Sequence, residues 1–384
     1  MIYLDNGATS HPKPETVYTA ADQALRAGGN PGRGGHRLAL AAGRRVLAAR
    51  EAVAQLFGLE DSARVLFTTS ATDSLNLALK GLLRPGDHVI TTQAEHNALR
   101  RPLAVLERQG VEVTWLPVSP EGLLNPDSVM LAVRRNTRLI AVSHGSNVTG
   151  AVQDLAALGK IARRSHVLLL VDAAQTAGAW PIHMKELGIH LLAAPGHKGL
   201  LGPQGTGILL VDPQVALQPI REGGTGSHSA DLVQPAIFPE GFESGTLNVA
   251  GIAGLEAGVR FLLAEGVEKV QRHEQALATV LTIHLRRIPG VTVYGPTRAD
   301  LRCGVVCFNI DGLDCGEVEE RLDDEYGVIG RAGLHCNPGA HEAVGSMARG
   351  GAMRLSPGYF TTMTDIDAAV QAVAALAHES QEGR

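Results

Sequence analysis

The sequence predicts an α/β fold: a mostly parallel central sheet covered on both faces, followed by a smaller α/β unit. Three observations carry that expectation. From Arg64 to Val211, short apolar runs of strand length alternate with stretches of helical period. Polar residues gather where those runs end, the edge at which open α/β sheets place their ligands. A long amphipathic stretch, Val267 to Ile288, then leads into a second strand–helix–strand pattern. At 384 residues two domains are expected. They are a large unit over 15–258 and a small one over 259–384, the latter packing with an N-terminal arm over 1–14.

Taken in order, Tyr3 to Thr9 is extended, and Pro12 and Pro14 keep the next residues out of a helix. Helical patterning begins near Glu15 and resumes over Leu38–Phe57. Between them lies a loop, Gly28 to His36, in which six of nine residues are glycine or proline. Arg64–Thr69 is a strand that runs into Ser70-Ala71-Thr72-Asp73, the start of a helix with an apolar stripe at Leu75, Ala78, Leu79 and Leu82. A strand entering such a hydroxyl-rich helix start is a natural seat for a phosphate, although every helix needs a cap. Further strands are expected at Val89–Thr92, Val111–Leu116, Leu139–Ser143, Val167–Val171 and Ile208–Val211. Val167–Val171 is apolar throughout, as suits a strand buried on both faces. The amphipathic helix that follows presents Leu277, Val280, Leu281, His284, Leu285 and Ile288 on one face. Strands at Gly304–Ile310, Val328–Arg331 and Met353–Ser356 and a helix at Gly316–Tyr326 make up the small unit. Thr364 caps a last helix with Asp367 at its third position, and the chain frays after His378.

Composition narrows the function classes. Hydrophobic content is 45%, charged content 19% and formal net charge −5, with no basic excess to suggest nucleic acid. The first residues show no secretory signal, and no apolar run reaches membrane-spanning length, so a cytoplasmic protein is expected. The four cysteines lie in the last quarter of the chain and do not suggest a disulfide framework. Cys303 and Cys307 would share a strand face, and no zinc-ligand spacing recurs, so no metal is expected.

The chemistry centres on Asp172 and Lys198. Asp172 ends an apolar strand, and Lys198 sits in a glycine-dense loop after another apolar run. Alone, the first reads equally as a helix cap and the second as a solvated loop residue. Together they form an acid and an amine at buried strand ends, costly to keep charged without a partner. Pyridoxal phosphate needs such a pair, a lysine for its aldehyde and a carboxylate for its ring nitrogen. A P-loop reading of the glycines fails on spacing, because Lys198 precedes its glycines.

These residues, with their surroundings, resemble the class V aminotransferases, and within them the cysteine desulfurase family. The resemblance runs from Tyr3-Leu4-Asp5-Asn6-Gly7-Ala8-Thr9 to Arg354, and is most specific at Val171-Asp172-Ala173-Ala174-Gln175 and Gly196-His197-Lys198. It implies the pyridoxal-phosphate fold of type I, a homodimer, and L-cysteine as substrate with transfer of sulfur to a protein acceptor. Glu95-His96-Asn97-Ala98 resembles a segment whose histidine stacks on the cofactor, implying that role for His96. Asn147 is implied to bond the cofactor's phenolic oxygen, with Gln175 beside Asp172. Ala71, Thr72 and His197 are implied at the phosphate. Glu243-Ser244-Gly245-Thr246-Leu247-Asn248 resembles a segment whose threonine reaches the neighbouring subunit's phosphate, the alternative being a helix cap.

Arg331-Ala332-Gly333-Leu334-His335-Cys336 resembles the family's short persulfide-forming loop. Its glycines suit an exposed thiol, and His335 and Arg331 are expected to act as cationic neighbours. Arg354 resembles the arginine that receives the substrate carboxylate, a task suited to a bidentate guanidinium. Two features depart from the family pattern. Pro195 stands where many relatives have a phosphate-binding hydroxyl, so His197, Thr72 or Thr246 must carry more. Arg354 also runs into Pro357-Gly358-Tyr359 rather than a longer polar stretch. Selenocysteine lyase, cystine C–S lyase and plain aminotransferase activities fit the same scaffold. A non-catalytic sulfur-relay scaffold is the alternative of a different class.

Overall fold

The computed structural model describes residues 1–32 and 34–382; Arg33, in the expected glycine-rich loop, lies outside them. Strand β1 (Ile2–Tyr3) precedes helices α1 (Glu15–Ala27) and α2 (Arg37–Phe57). There follow β2 (Val65–Thr68), α3 (Ala71–Leu82), β3 (His88–Thr92), α4 (Asn97–Arg108) and β4 (Glu112–Leu116). Next are α5 (Pro126–Ala132), β5 (Thr137–Ser143), α6 (Leu155–Ser165) and β6 (Leu168–Asp172). Then come α7 (Met184–Leu187), β7 (Leu191–Pro195), β8 (Gly207–Val211), α8 (Val249–Glu265) and α9 (Val267–Leu285). The chain closes with β9 (Val291–Val293), β10 (Val306–Ile310), α10 (Cys315–Tyr326) and β11 (Val328–Ile329). Last are α11 (Pro338–Val344), β12 (Met353–Leu355) and α12 (Met363–Glu382).

The main sheet has seven strands in the order β2-β8-β7-β6-β5-β3-β4. It is mostly parallel, as expected, and β8 alone runs against both its neighbours. Because β8 reverses twice, β2 points the same way as the parallel strands. The carboxyl ends of β2, β3, β5, β6 and β7 therefore share one edge. Side chains alternate between two cores: Leu139 and Ala141 of β5 face one, Ile140 and Val142 the other. Helices α3 and α4 cover the first face with Leu75, Leu79, Leu99 and Leu103. The predicted α3 stripe is buried along its whole length. Helices α2 and α8 cover the second face with Val53, Phe57, Leu255 and Leu262.

A separate antiparallel sheet, β12-β10-β9, packs under α9, α10 and α12. Leu4 of the N-terminal arm enters this core, and β1 pairs in parallel with β11. The expected strand Val328–Arg331 is thus two residues long and pairs with the arm, and Arg331 beyond it bridges antiparallel to Arg354 of β12. Since α8 packs on the main sheet through both Leu255 and Leu262, we propose that the division falls after α8 rather than within it at 258. No helix among the described residues is long and apolar enough to cross a membrane.

Four local expectations change. His284 is exposed, while Leu277, Leu281 and Leu285 around it are buried. Cys303 lies before β10 and Cys307 within it, in different apolar clusters, so they share no strand face. Helix α12 stays regular to Glu382. Its cap is Thr362, two residues before the predicted Thr364. Thr362 Oγ1 accepts from Asp365 N at 3.2 Å, and Asp365 Oδ2 accepts from Thr362 N at 2.8 Å. The loop after β8 is fixed by a buried ion pair in which Arg50 Nη1 donates to Glu243 Oε1 at 2.8 Å. Glu243 also accepts from Phe67 N, tying this loop to β2.

The cap assignment has a direct test. Thr362→Ala is expected to cost about 1 kcal/mol of stability, read as a lower urea midpoint at unchanged slope. Thr364→Ala, at an exposed position, is expected to change stability by less than about 0.5 kcal/mol.

Candidate active site

The shared strand edge surrounds a cavity of ≈ 120 Å³. The start of α3 contributes Ser70, Ala71 and Thr72, and His96 comes from the turn after β3. The segment after β5 supplies Asn147, and the end of β6 supplies Asp172 and Gln175. Pro195, His197 and Lys198 follow from the end of β7, and Asn337 closes one side. Eight of the expected site residues meet here. Cys336, Arg354 and Thr246 do not line the cavity.

Lys198 is placed by two glycines that no larger residue could replace. A Cβ at Gly196 would come within 2.1 Å of Thr206 Oγ1, and one at Gly199 within 2.5 Å of the Ala177 carbonyl. The N-terminal arm braces the same loop: Ser10 N, Thr9 Oγ1 and Lys13 Nζ all donate to the His197 carbonyl. Enclosure of the Lys198 amine lowers its pKa to about 8, with the Arg354 charge adding to burial and Asp172 opposing it. Burial raises the Asp172 carboxyl, while the Ala174 amide, donating to Oδ1 at 2.9 Å, holds it partly back. The two groups moderate each other's desolvation.

The histidines here are neutral. His96 caps α4, its Nδ1 accepting from Ala98 N at 3.0 Å, which leaves the ring proton on Nε2. Burial, then the Lys198 charge, lowers its pKa to about 4. His197 is lowered to about 4 for the same reasons, and its Nδ1 is buried without a hydrogen-bond partner. At the start of α3, Ser70 Oγ accepts from Asp73 N, leaving the Ala71 and Thr72 amides to face the cavity. Pro195 lines the cavity with no hydroxyl to offer. Of the three residues expected to compensate, His197 and Thr72 are at the cavity. Thr246 is exposed, and Asn248, not Thr246, caps α8 by accepting from Gly251 N.

Arg354 stands in β12, 1% exposed. Its Nη2 pairs with Asp5 Oδ1 at 2.7 Å, its Nη1 donates to the Asn147 carbonyl at 3.3 Å, and its Nε has no partner. Asp5 was not expected in the site; residues 349 apart in sequence give no local signal. Glu95 carries no sequence signal either. Its carboxylate accepts from Thr92 Oγ1 at 2.7 Å and Ser143 N at 2.8 Å, joining the ends of β3 and β5. Burial pushes its pKa up to about 7.

Cys336 is exposed, whereas the other three cysteines are buried. Burial pushes the Cys303 and Cys307 thiols up to about 12. Cys336 reaches the cavity rim because its carbonyl accepts from Asn97 N at 2.9 Å, next to His96. The expectation that His335 is its cationic neighbour is not met. The His335 ring turns into the protein, Nε2 bonding the Arg331 carbonyl and Nδ1 facing His341 Nε2. Burial, then the Arg354 charge, lowers its pKa to about 3, so it is neutral. The Asn147 amide, expected free for a cofactor, donates to the His335 carbonyl at 2.6 Å and accepts from Asn337 at 3.0 Å.

The family model for class-V aminotransferases matches residues 2–369. The "Probable cysteine desulfurase" of Methanothermobacter thermautotrophicus is 34% identical over 371 residues, covering 95% of this chain and 92% of that one. Cysteine desulfurase CsdA of Escherichia coli K12 is 33% identical over 390 residues, covering 97% and 93%. Among solved structures, the apo cysteine desulfurase of Thermococcus onnurineus NA1 superposes with a TM-score of 0.92 at 32% identity, covering 98% and 95%.

The enclosure of Lys198 sets its pH response. Only the neutral amine is nucleophilic, so reductive methylation of Lys198, followed by peptide mapping, is expected to rise with pH through a midpoint near 8. A midpoint at the ordinary lysine value of 10.5 would show that the amine is not buried.

Proposed function

This chain belongs to the class-V aminotransferase family, and on that premise we propose that it is a pyridoxal-phosphate-dependent cysteine desulfurase. It takes sulfur from L-cysteine onto Cys336 as a persulfide and releases L-alanine. The observation that carries this reading is one cavity bounded by Lys198 and Asp172, with the one exposed thiol of the chain on the loop at its rim.

The residues present fit the cofactor. The Ala71 and Thr72 amides and the unpartnered Nδ1 of His197 suit a phosphate, with no hydroxyl needed from position 195. Asp172 would hold the ring nitrogen, Lys198 the aldehyde carbon, and neutral His96 would lie against the ring. Bound there, pyridoxal phosphate supplies an electron sink for the substrate's Cα.

The chain's own groups do the rest. Arg354 receives the substrate carboxylate, in place of the Asp5 carboxylate that pairs with its Nη2 in this structure. Lys198, its pKa lowered to about 8 so that a share of the amine is neutral near physiological pH, takes the Cα proton. The thiolate of Cys336 attacks the substrate sulfur: an S–S bond forms, the C–S bond breaks, and its electron pair stays with the carbon. Protonation of that carbon, and return of a proton from Lys198 to Cα, completes alanine. The persulfide then passes to a sulfur-acceptor protein. Thr246 serves the site of a second copy in a homodimer; its exposure on the segment pinned by Arg50 and Glu243 supports that role. All four cysteines are free, which suits a reducing cytoplasm.

Two variants test the assignment. Lys198→Ala is expected to lose both the visible absorbance of the purified protein and all turnover. Cys336→Ala is expected to keep the absorbance and lose alanine formation from cysteine. Alanine formed at the wild-type rate by Cys336→Ala would instead favour a lyase or aminotransferase that does not use this thiol.

A further inference from the structure

The loop that carries Cys336 is held in an uncommon shape. His335 and Cys336 have φ of 49° and 56°, in the left-handed region that side chains other than glycine seldom enter. They are the only adjacent non-glycine residues in that region among the described residues. Such a conformation persists where the surroundings over-determine it.

Those surroundings are specific. Asn97 N donates to the Cys336 carbonyl, and Asn147 Nδ2 to the His335 carbonyl. Asn337, 1% exposed, donates from Nδ2 to the Ala94 carbonyl at 2.9 Å and to Asn147 Oδ1 at 3.0 Å. A Cβ on Gly339 would lie 1.9 Å from the Gln93 carbonyl, so the loop sits hard against the turn after β3. Every one of these anchors belongs to a segment leaving the main sheet, whereas the loop itself belongs to the C-terminal unit.

Asn337 divides its amide between two tasks. Oδ1 accepts from Ala340 N at 3.2 Å and caps α11, while Nδ2 alone ties the loop to the rim. Asn147, the residue it binds, also lines the cavity. We propose that Asn337 is a positioning residue that, through Asn147, latches the Cys336 loop against the cavity and sets the approach of the thiol. What the thiol attacks rests on the desulfurase reading; the latch does not.

The two tasks separate by substitution. Asn337→Asp keeps a good helix cap but replaces the donor with an oxygen facing two acceptor oxygens. Asn337→Ala removes both functions. In the holoenzyme, Asn337→Asp is expected to keep the cofactor absorbance and to raise the rate of Cys336 alkylation by iodoacetamide about tenfold, the scale of two lost hydrogen bonds. It should also lower kcat for alanine formation with little change in KM for cysteine. Asn337→Ala should show the same alkylation change with an added fall in melting temperature. An unchanged or slower alkylation in Asn337→Asp would overturn the latch, as would a faster rate seen only in Asn337→Ala. If wild type makes no alanine from cysteine, the desulfurase reading fails, while the alkylation comparison still decides the latch.

Discussion

An amine enclosed by protein cannot stay an ordinary ammonium, and the site is arranged around that constraint. Lys198 sits at the shared edge of the strand ends, with the desolvation of its side chain set against the carboxylate of Asp172 and, more weakly, that of Asp5. Two glycines bring the backbone close enough to hold it there, and the N-terminal arm closes over the carbonyl of the preceding residue. Burial shifts the lysine toward the neutral form that a nucleophilic amine requires.

The rest of the site follows from how the two sheets meet. The main sheet supplies the enclosed groups, His96, Asn147, Asp172, His197 and Lys198, at one edge. The arm and the C-terminal unit supply Asp5, Arg354 and Cys336, which reach that edge from the other side. Arg354 is buried in the seam and is balanced by Asp5 instead of solvent. Its guanidinium is oriented by two partners, Asp5 and the Asn147 carbonyl. The Cys336 loop is likewise held by bonds from the opposite side, so its thiol is exposed yet not loose.

Much of this was legible in the sequence because burial on both faces leaves a strong mark. Strands such as Leu168–Asp172 read as unbroken apolar runs, and a polar residue at their end stands out. Asp172 and Lys198 stand out that way, and the glycines around Lys198 signal close backbone approach, whereas His96 is singled out only by the family resemblance. Weaker signals failed where a local pattern repeats. Thr362 with Asp365 and Thr364 with Asp367 are the same capping pattern two residues apart. The turn closed by Gly358 N donating to Thr361 Oγ1 decides where the helix starts. His335 beside Cys336 read as a cation, but its ring is turned into the protein and stays neutral.

The alternation of strand and helix from Arg64 to Val211 and the polar residues at the strand ends are legible in the sequence. Those depend on short-range periodicity and on residue type, which one chain displays in full. The pairing of Asp5 with Arg354, the joining of β3 to β5 through Glu95, and the tie from Asn337 to Asn147 come from the packing alone. Each is a hydrogen bond between segments far apart along the chain. No local pattern encodes it, because distance through space is set by how the sheets pack and not by spacing in sequence.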